Sequence, residues 1–199
     1  MENLEPIREK LVLPIAHAKV LLHCCCATCS GDIIETMLAS RITPTLFFYN
    51  PNIDLEEEYT KRKKDVVAFA TRKNISLIDA DYDKEDWLVD IQGLENEPEG
   101  GKRCEKCFHF RLKKTAQCAI SHGYNVMTTT LGISRYKNFE LITSLGQAIA
   151  KEYPDLLYWD YNWRKHGGSQ RMYKIAKRED FYVQDYCGCI FSRQSPAIS

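Results

Sequence analysis

Four cysteines fall within six positions, Cys24, Cys25, Cys26 and Cys29, directly after the apolar run Lys19-Val20-Leu21-Leu22. A second pair, Cys104 and Cys107, is spaced CxxC, and a third, Cys187 and Cys189, flanks Gly188. Grouped thiolates bind soft metals or exchange electrons as dithiols. One tetrahedral zinc takes four ligands, so these eight thiols exceed a single zinc site and suit an iron–sulfur cluster with thiols to spare. A structural four-cysteine zinc site is the plainer alternative that spacing leaves open. The ninth cysteine, Cys118, stands alone in a helical run and reads as a small buried apolar residue.

The elements that must position these thiols follow from periodicity and turn signals. Residues 19–22 read as a strand that delivers cysteines at its carboxyl end, with a turn at Ala27-Thr28 and a helix from Asp32 to Ser40. Further strands are expected over 42–49, 75–78, 126–131 and 156–159, and helices over 56–73, 108–122, 138–151 and 171–179, with a short helix around Trp87 and Leu88. This alternation predicts a single α/β domain over residues 19–199, with a mostly parallel sheet flanked by helices and an amino-terminal arm over 1–18. In such a sheet ligands bind beyond the carboxyl ends of the strands. All three cysteine groups are expected in loops after secondary elements, and the Cys187/Cys189 tail is expected to be mobile with both thiols on one side of an extended backbone.

At 199 residues the chain is long enough to bury a full core without staples. No apolar run is long enough to span a bilayer, and the short apolar stretch at 11–16 is broken by Pro14 and preceded by Glu2, Glu5 and Glu9, the wrong layout for a secretory signal. The expectation is a cytoplasmic protein with no membrane partner. In a reducing compartment grouped cysteines favour metal or redox chemistry over a disulfide framework, and an odd total of nine agrees. Net charge is zero, yet the charge is segregated. Residues 79–99 carry nine acidic side chains against one basic, whereas 161–180 carry six basic against two acidic. A neutral protein can therefore present a basic face.

LLHCCCATCSG, FFYNPNI followed by EY, RCEKCFHFRL, TTTLGIS, the WRKHGG segment and YCGCIFS, in that order, resemble the epoxyqueuosine reductase family of the QueH type over nearly the whole chain after the arm. The expected fold is accordingly a single α/β domain with a mostly parallel, Rossmann-like (HUP/PP-loop-like) sheet. The resemblance implies reduction of epoxyqueuosine to queuosine in the tRNA anticodon, using a [4Fe–4S] cluster without cobalamin. Carried onto this sequence, Cys25, Cys26, Cys104 and Cys107 match the cluster-associated cysteines, and Cys187 and Cys189 match the YCGC pair. Cys24 stands at a variable position and reads as a bystander. Cys29 stands where the family also accepts aspartate, which implies a metal-facing role. Asp54-Leu55 replaces a frequent His-Pro, and Ser134-Arg135 a frequent Ser-Pro.

Deoxygenating an epoxide takes two electrons, whereas a cluster passes one at a time, so a second redox element is expected. A second iron ion held by Cys29, Cys189 and a cluster-adjacent thiol, or a Cys187/Cys189 dithiol, could supply it. Cys29, Cys187 and Cys189 are thus the expected catalytic thiols. Tyr49, Asp54, Glu58 and Tyr59 are candidate proton donors with none preferred. Arg164, Lys165, Arg171, Lys174 and Arg178 are the expected tRNA phosphate contacts, and an electron donor of unknown identity is the other expected partner. Two alternatives remain. An iron–sulfur tRNA thiolase of the ATP-pyrophosphatase type should carry SGGxDS, whereas Ser30-Gly31-Asp32 has one glycine. A zinc-stabilised RNA-binding module would be colourless.

Overall fold

The computed structural model describes residues 7–80 and 83–193. Glu2 and Glu5 of the expected arm, and Asp81 and Tyr82 of the acidic segment, lie outside the described residues, as does the chain beyond 193. Five strands, β1 (Val20–Cys24), β2 (Thr45–Phe48), β3 (Leu77–Asp79), β4 (Val126–Thr129) and β5 (Leu157–Tyr158), form a wholly parallel sheet in the order β3-β2-β1-β4-β5. β1 lies at its centre, with Leu21 opposite Thr45 on one side and Met127 on the other. A central parallel strand is covered on both faces, which is why Val20-Leu21-Leu22-His23-Cys24 does not alternate and is buried throughout.

His23 is the one strongly polar member of that run, and it is kept neutral. Burial drives its pKa down to about 3. Its Nε2 lies 3.0 Å from the Tyr49 carbonyl, which can only accept, so Nε2 carries the proton and Nδ1 accepts from the Thr129 hydroxyl at 2.8 Å.

The helices are α1 (Ala27–Ala39), α2 (Glu56–Arg72), α3 (Lys84–Asp90), α4 (Lys102–Ser121), α5 (Phe139–Ala150), α6 (Gly168–Arg178) and α7 (Ile190–Arg193). α1 packs against α2 and α6, and α4 packs against α5 and α3. Right-handed crossovers put α1 and α2 on one face of the sheet and, once the strand order reverses, place α4 and α5 on the other, while α6 returns to pack on α1. The α1–α6 approach is close at Gly31, where a Cβ would stand 2.8 Å from Ile175 Cγ2.

Two helices that carry cysteines begin earlier than the sequence predicts. α1 starts at Ala27 rather than Asp32, and Ala27-Thr28 belongs to its first turn. Cys26 is extended and acts as the N-cap, its sulfur accepting the Cys29 amide at 3.4 Å where serine or threonine commonly serves. α4 starts at Lys102 rather than Phe108, with extended Gly101 as N-cap. The Arg103 side chain fastens this start by donating to the carbonyls of Leu94, Glu95 and Glu97. Cys29, Cys104 and Cys107 therefore ride on helices rather than in loops.

The carboxyl-terminal cysteine segment is anchored rather than mobile. Arg62 donates to the carbonyls of Tyr186 at 3.2 Å and Cys187 at 3.0 Å, and the Asp54 amide donates to the Gly188 carbonyl at 2.9 Å. Gly188 takes φ of +108°, so the backbone turns between the two thiols instead of running extended. Part of the expected arm is also docked. Leu11 is buried with its amide donating to Ser40 Oγ, and Arg8 pairs with Glu35 at 2.8 Å.

Candidate metal centre and its cleft

The strand order reverses between β1 and β4, so the loops leaving those strands part and open a crevice at the carboxyl edge of the sheet. β1 delivers Cys25, Cys26 and Cys29 into it. β4 delivers Thr130, whose hydroxyl accepts the Cys25 amide at 3.1 Å and donates to Cys25 Sγ at 3.2 Å. An extended residue followed by a helical turn brings positions 26 and 29 together, and the sulfurs of Cys25, Cys26 and Cys29 all lie within 4.8 Å of one another. Cys25 Sγ and Cys26 Sγ are 3.9 Å apart.

Cys29, Cys104 and Cys187 line one open cleft of about 700 Å³, together with Lys137, Tyr136 and Tyr173. Behind it, a small chamber between Cys25 and Cys187 is walled by Arg62, Arg111 and Lys137. Cys107 and Cys189 are buried together against Trp87 and Ile91. Cys24 is buried with its thiol on the Leu22 carbonyl and is not among the gathered sulfurs. Cys118 is half-buried on α4, away from these groups, and only its burial raises its pKa.

Each thiol group is electrostatically divided. In the triad, hydrogen bonds from Cys26 and then Cys29, helped by the charges of Lys137 and Arg111, hold the Cys25 thiol well below its ordinary range. The hydrogen bond to Cys25 pushes Cys26 up to about 12, and Cys29 also rises. At the other group, a hydrogen bond from Cys189 and the charges of Lys137, Arg111 and Arg62 hold Cys187 well down, while Cys189 rises. Burial pushes Cys107 up to about 11. One acidified thiol per group, faced by shared cations, is a donor arrangement suited to a soft metal.

Those shared cations were missed in the sequence. Arg111 follows Cys104 and Cys107 on α4 at helical spacing, so it lies on the same face one turn deeper. It is buried, its Nη2 donates to Asn50 Oδ1 at 2.5 Å, and its Nε has no hydrogen-bond partner among the described residues. The spacing from the CxxC pair was the signal that could have found it. Lys137 had no such signal, because only the fold brings its loop to the thiols. Burial pulls the Lys137 pKa down, but the nearby Cys187, Cys25 and Cys29 outweigh it and raise it overall.

The five expected phosphate contacts occupy different environments. Arg171 is buried and pairs with Asp32 at 2.7 Å, fixing α6 on α1. Arg164 donates to the carbonyls of Gly132, Ser134 and Lys137, clamping the loop after β4. Arg178 pairs with Glu35 and Glu179 at the surface. Lys165 is exposed and Lys174 half-exposed. The candidate proton donors lie off the cleft lining. Tyr49 donates to Asp83 at 2.9 Å, Asp54 pairs with Lys84 at 2.8 Å, Glu58 pairs with Arg62 at 2.6 Å, and Tyr59 is buried.

Fold and site together define an α/β protein with a thiol-lined cleft, able to hold a metal, at the reversal point of a parallel sheet. The family described as Epoxyqueuosine reductase QueH matches residues 20–195, and this chain belongs to it. An Epoxyqueuosine reductase QueH of Haemophilus influenzae is 53% identical over 186 residues, covering 94% of this chain and 76% of that protein. The protein of the same description from Acinetobacter baylyi is 51% identical over 185 residues, covering 93% and 85% respectively. A more distant one, from Thermotoga maritima, is 36% identical over 176 residues, covering 87% and 89%.

Proposed function

We propose that this chain reduces epoxyqueuosine to queuosine in a tRNA anticodon, and that its thiols hold a [4Fe–4S] cluster. The observation that carries the reading is the convergence of Cys25, Cys26 and Cys29 on one point, with Cys104 and Cys187 lining the cleft beside it. Cys104, Cys107 and at least one of Cys25 and Cys26 are the cluster ligands in this reading, and Cys187 completes the set where only one of those two binds. Cys29 and Cys189 are the thiols for a second iron ion or a redox role. When bound, the cluster supplies electrons one at a time.

The reaction balances as epoxide plus two electrons and two protons giving alkene and water. The electrons come from a one-electron donor outside the chain. The chain's own residues hold charge and proton. Arg62 and Arg111 face the thiolates from the inner chamber and offset their negative charge. Lys137 lines both chamber and cleft, and its Nζ is the proton source assigned here to the departing oxygen. Arg164 is then a positioning residue, since it fixes the backbone carbonyl of Lys137. Of the expected phosphate contacts, Lys165 and Lys174 remain suited to that role, whereas the other three are engaged within the protein.

The test is anaerobic reconstitution with iron and sulfide, followed by reaction with tRNA containing epoxyqueuosine and a low-potential reductant. Queuosine formation with stoichiometric iron and sulfide supports the reading. A colourless zinc protein without turnover overturns it.

A further inference from the structure

The mouth of the thiol cleft carries aromatic surface that the fold does not use. Tyr136 and Tyr173 line the cleft, yet they remain 53% and 49% exposed, and Val183 beside them is 56% exposed. Single exposed apolar residues are ordinary, but here three of them share one rim above Cys29, Cys104 and Cys187. Arg135 completes the rim. Its Nη2 donates to the Tyr136 hydroxyl at 2.6 Å and its guanidinium lies 4.8 Å from the Tyr136 ring centroid. Arg135 and Tyr173 line the same cleft.

The rings are exposed, but their backbones are held. Arg164 clamps the carbonyls of Gly132, Ser134 and Lys137, which bracket Tyr136 in the chain. Tyr173 stands two residues after Arg171, whose buried pair with Asp32 seats α6 on α1. A rigid, exposed ring loses little conformational entropy when something stacks on it. The cleft volume of about 700 Å³ is of the size that receives a small ligand or one nucleoside. Its lining holds Arg135, Lys137 and Arg193, cations able to meet phosphate oxygens, beside the carboxylates Glu99 and Asp185.

We propose that Tyr136, Tyr173 and Arg135 form a stacking platform for an unpaired RNA nucleotide, which steers the neighbouring modified base into the thiol cleft. Unpaired RNA bases lie on aromatic rings and guanidinium planes in this way, and such contacts tolerate sequence. The inference rests on the tRNA reading above and adds to it which residues hold the loop.

The experiment measures binding of the reconstituted protein, under anaerobic conditions, to an RNA stem-loop carrying epoxyqueuosine in its loop, across a series of salt concentrations. Tyr136→Ala and Tyr173→Ala are each expected to weaken binding about tenfold or more with the salt slope unchanged, because a stacking contact is lost and no charge is removed. Tyr136→Phe and Tyr173→Trp should restore it. If wild-type protein does not bind the stem-loop, the tRNA reading fails and the platform with it. If wild-type binds and both alanine variants bind equally well, the platform alone is overturned. It is equally overturned if the alanine variants keep RNA affinity and dithionite-driven turnover but lose turnover with a protein electron donor, which would make the rim a protein-docking surface.

Discussion

The two thiol groups are built by opposite means. Cys25, Cys26 and Cys29 are gathered by four consecutive backbone conformations, an extended N-cap and one helical turn, so their sulfurs meet wherever β1 runs into α1. Cys104, Cys107, Cys187 and Cys189 come from chain segments about eighty residues apart. They are held by two arginines. Arg103 ties the start of α4 to the acidic loop and lies 4.6 Å from the Phe191 ring centroid, while Arg62 grips the carbonyls before Gly188. The first group is a local structure that needs little help. The second depends on long-range ties, each with a buried charge at its core, and is the more easily undone.

Three experiments break or sharpen that contrast. The largest effect is expected from removing one sulfur on each side. If both groups hold one cluster, Cys25→Ala and Cys104→Ala will each abolish the visible charge-transfer absorption and bound iron after anaerobic reconstitution. Loss of about half the iron in each variant would show instead that the groups bind metal separately.

Next in size is Arg62→Met. Arg62 and Glu58 are a buried pair at 2.6 Å, 4% and 8% exposed at the side chain. Removing Arg62 leaves the Glu58 carboxylate buried without its counter-charge, held only by the Tyr182 hydroxyl at 2.8 Å, a cost of about 3–5 kcal/mol measurable by urea unfolding. The same variant releases the Tyr186 and Cys187 carbonyls, so the backbone amides of residues 186–189 should exchange with deuterium faster in metal-free protein while those of residues 26–33 exchange at their wild-type rate. Equal acceleration in both segments would show that the groups are not independently supported.

The smallest effect concerns pH in the metal-free protein. The folded-state pKa of Cys107 is raised to about 11 by burial, so its stabilising contribution is complete below the ordinary thiol value and is lost as pH rises through the folded value. Stability should therefore fall between about pH 9 and pH 11, by roughly 2–3 kcal/mol from this group. Cys107→Ala should flatten that limb. Cys25 has the opposite sign, since its pKa is depressed and its contribution is present above the unfolded value and lost as pH falls through the folded one. An alkaline limb unchanged in Cys107→Ala would place the loss on Cys26 or another thiol.

The alternation of apolar runs and helical stripes determined the parallel α/β fold, because strand and helix periods differ and short connections between them force crossovers of one hand. The position of the first cysteine group was equally legible, since a buried central strand must end where ligands bind. The helix starts at Ala27 and Lys102 were not legible. A cysteine sulfur capping a helix lies outside the usual N-cap residues, and the Arg103 contacts that fasten α4 reach back to carbonyls whose positions only the folded loop defines. The same limit applied to charge. The sequence marked Arg164, Arg171 and Arg178 as a basic stretch, but a guanidinium becomes a clamp or an ion-pair partner only when carbonyls or carboxylates from distant segments arrive within hydrogen-bond reach. Tertiary structure alone decided that Arg62 and Lys137 would face the thiols, because Coulomb energy depends on distance and dielectric in the folded chain and not on separation in sequence.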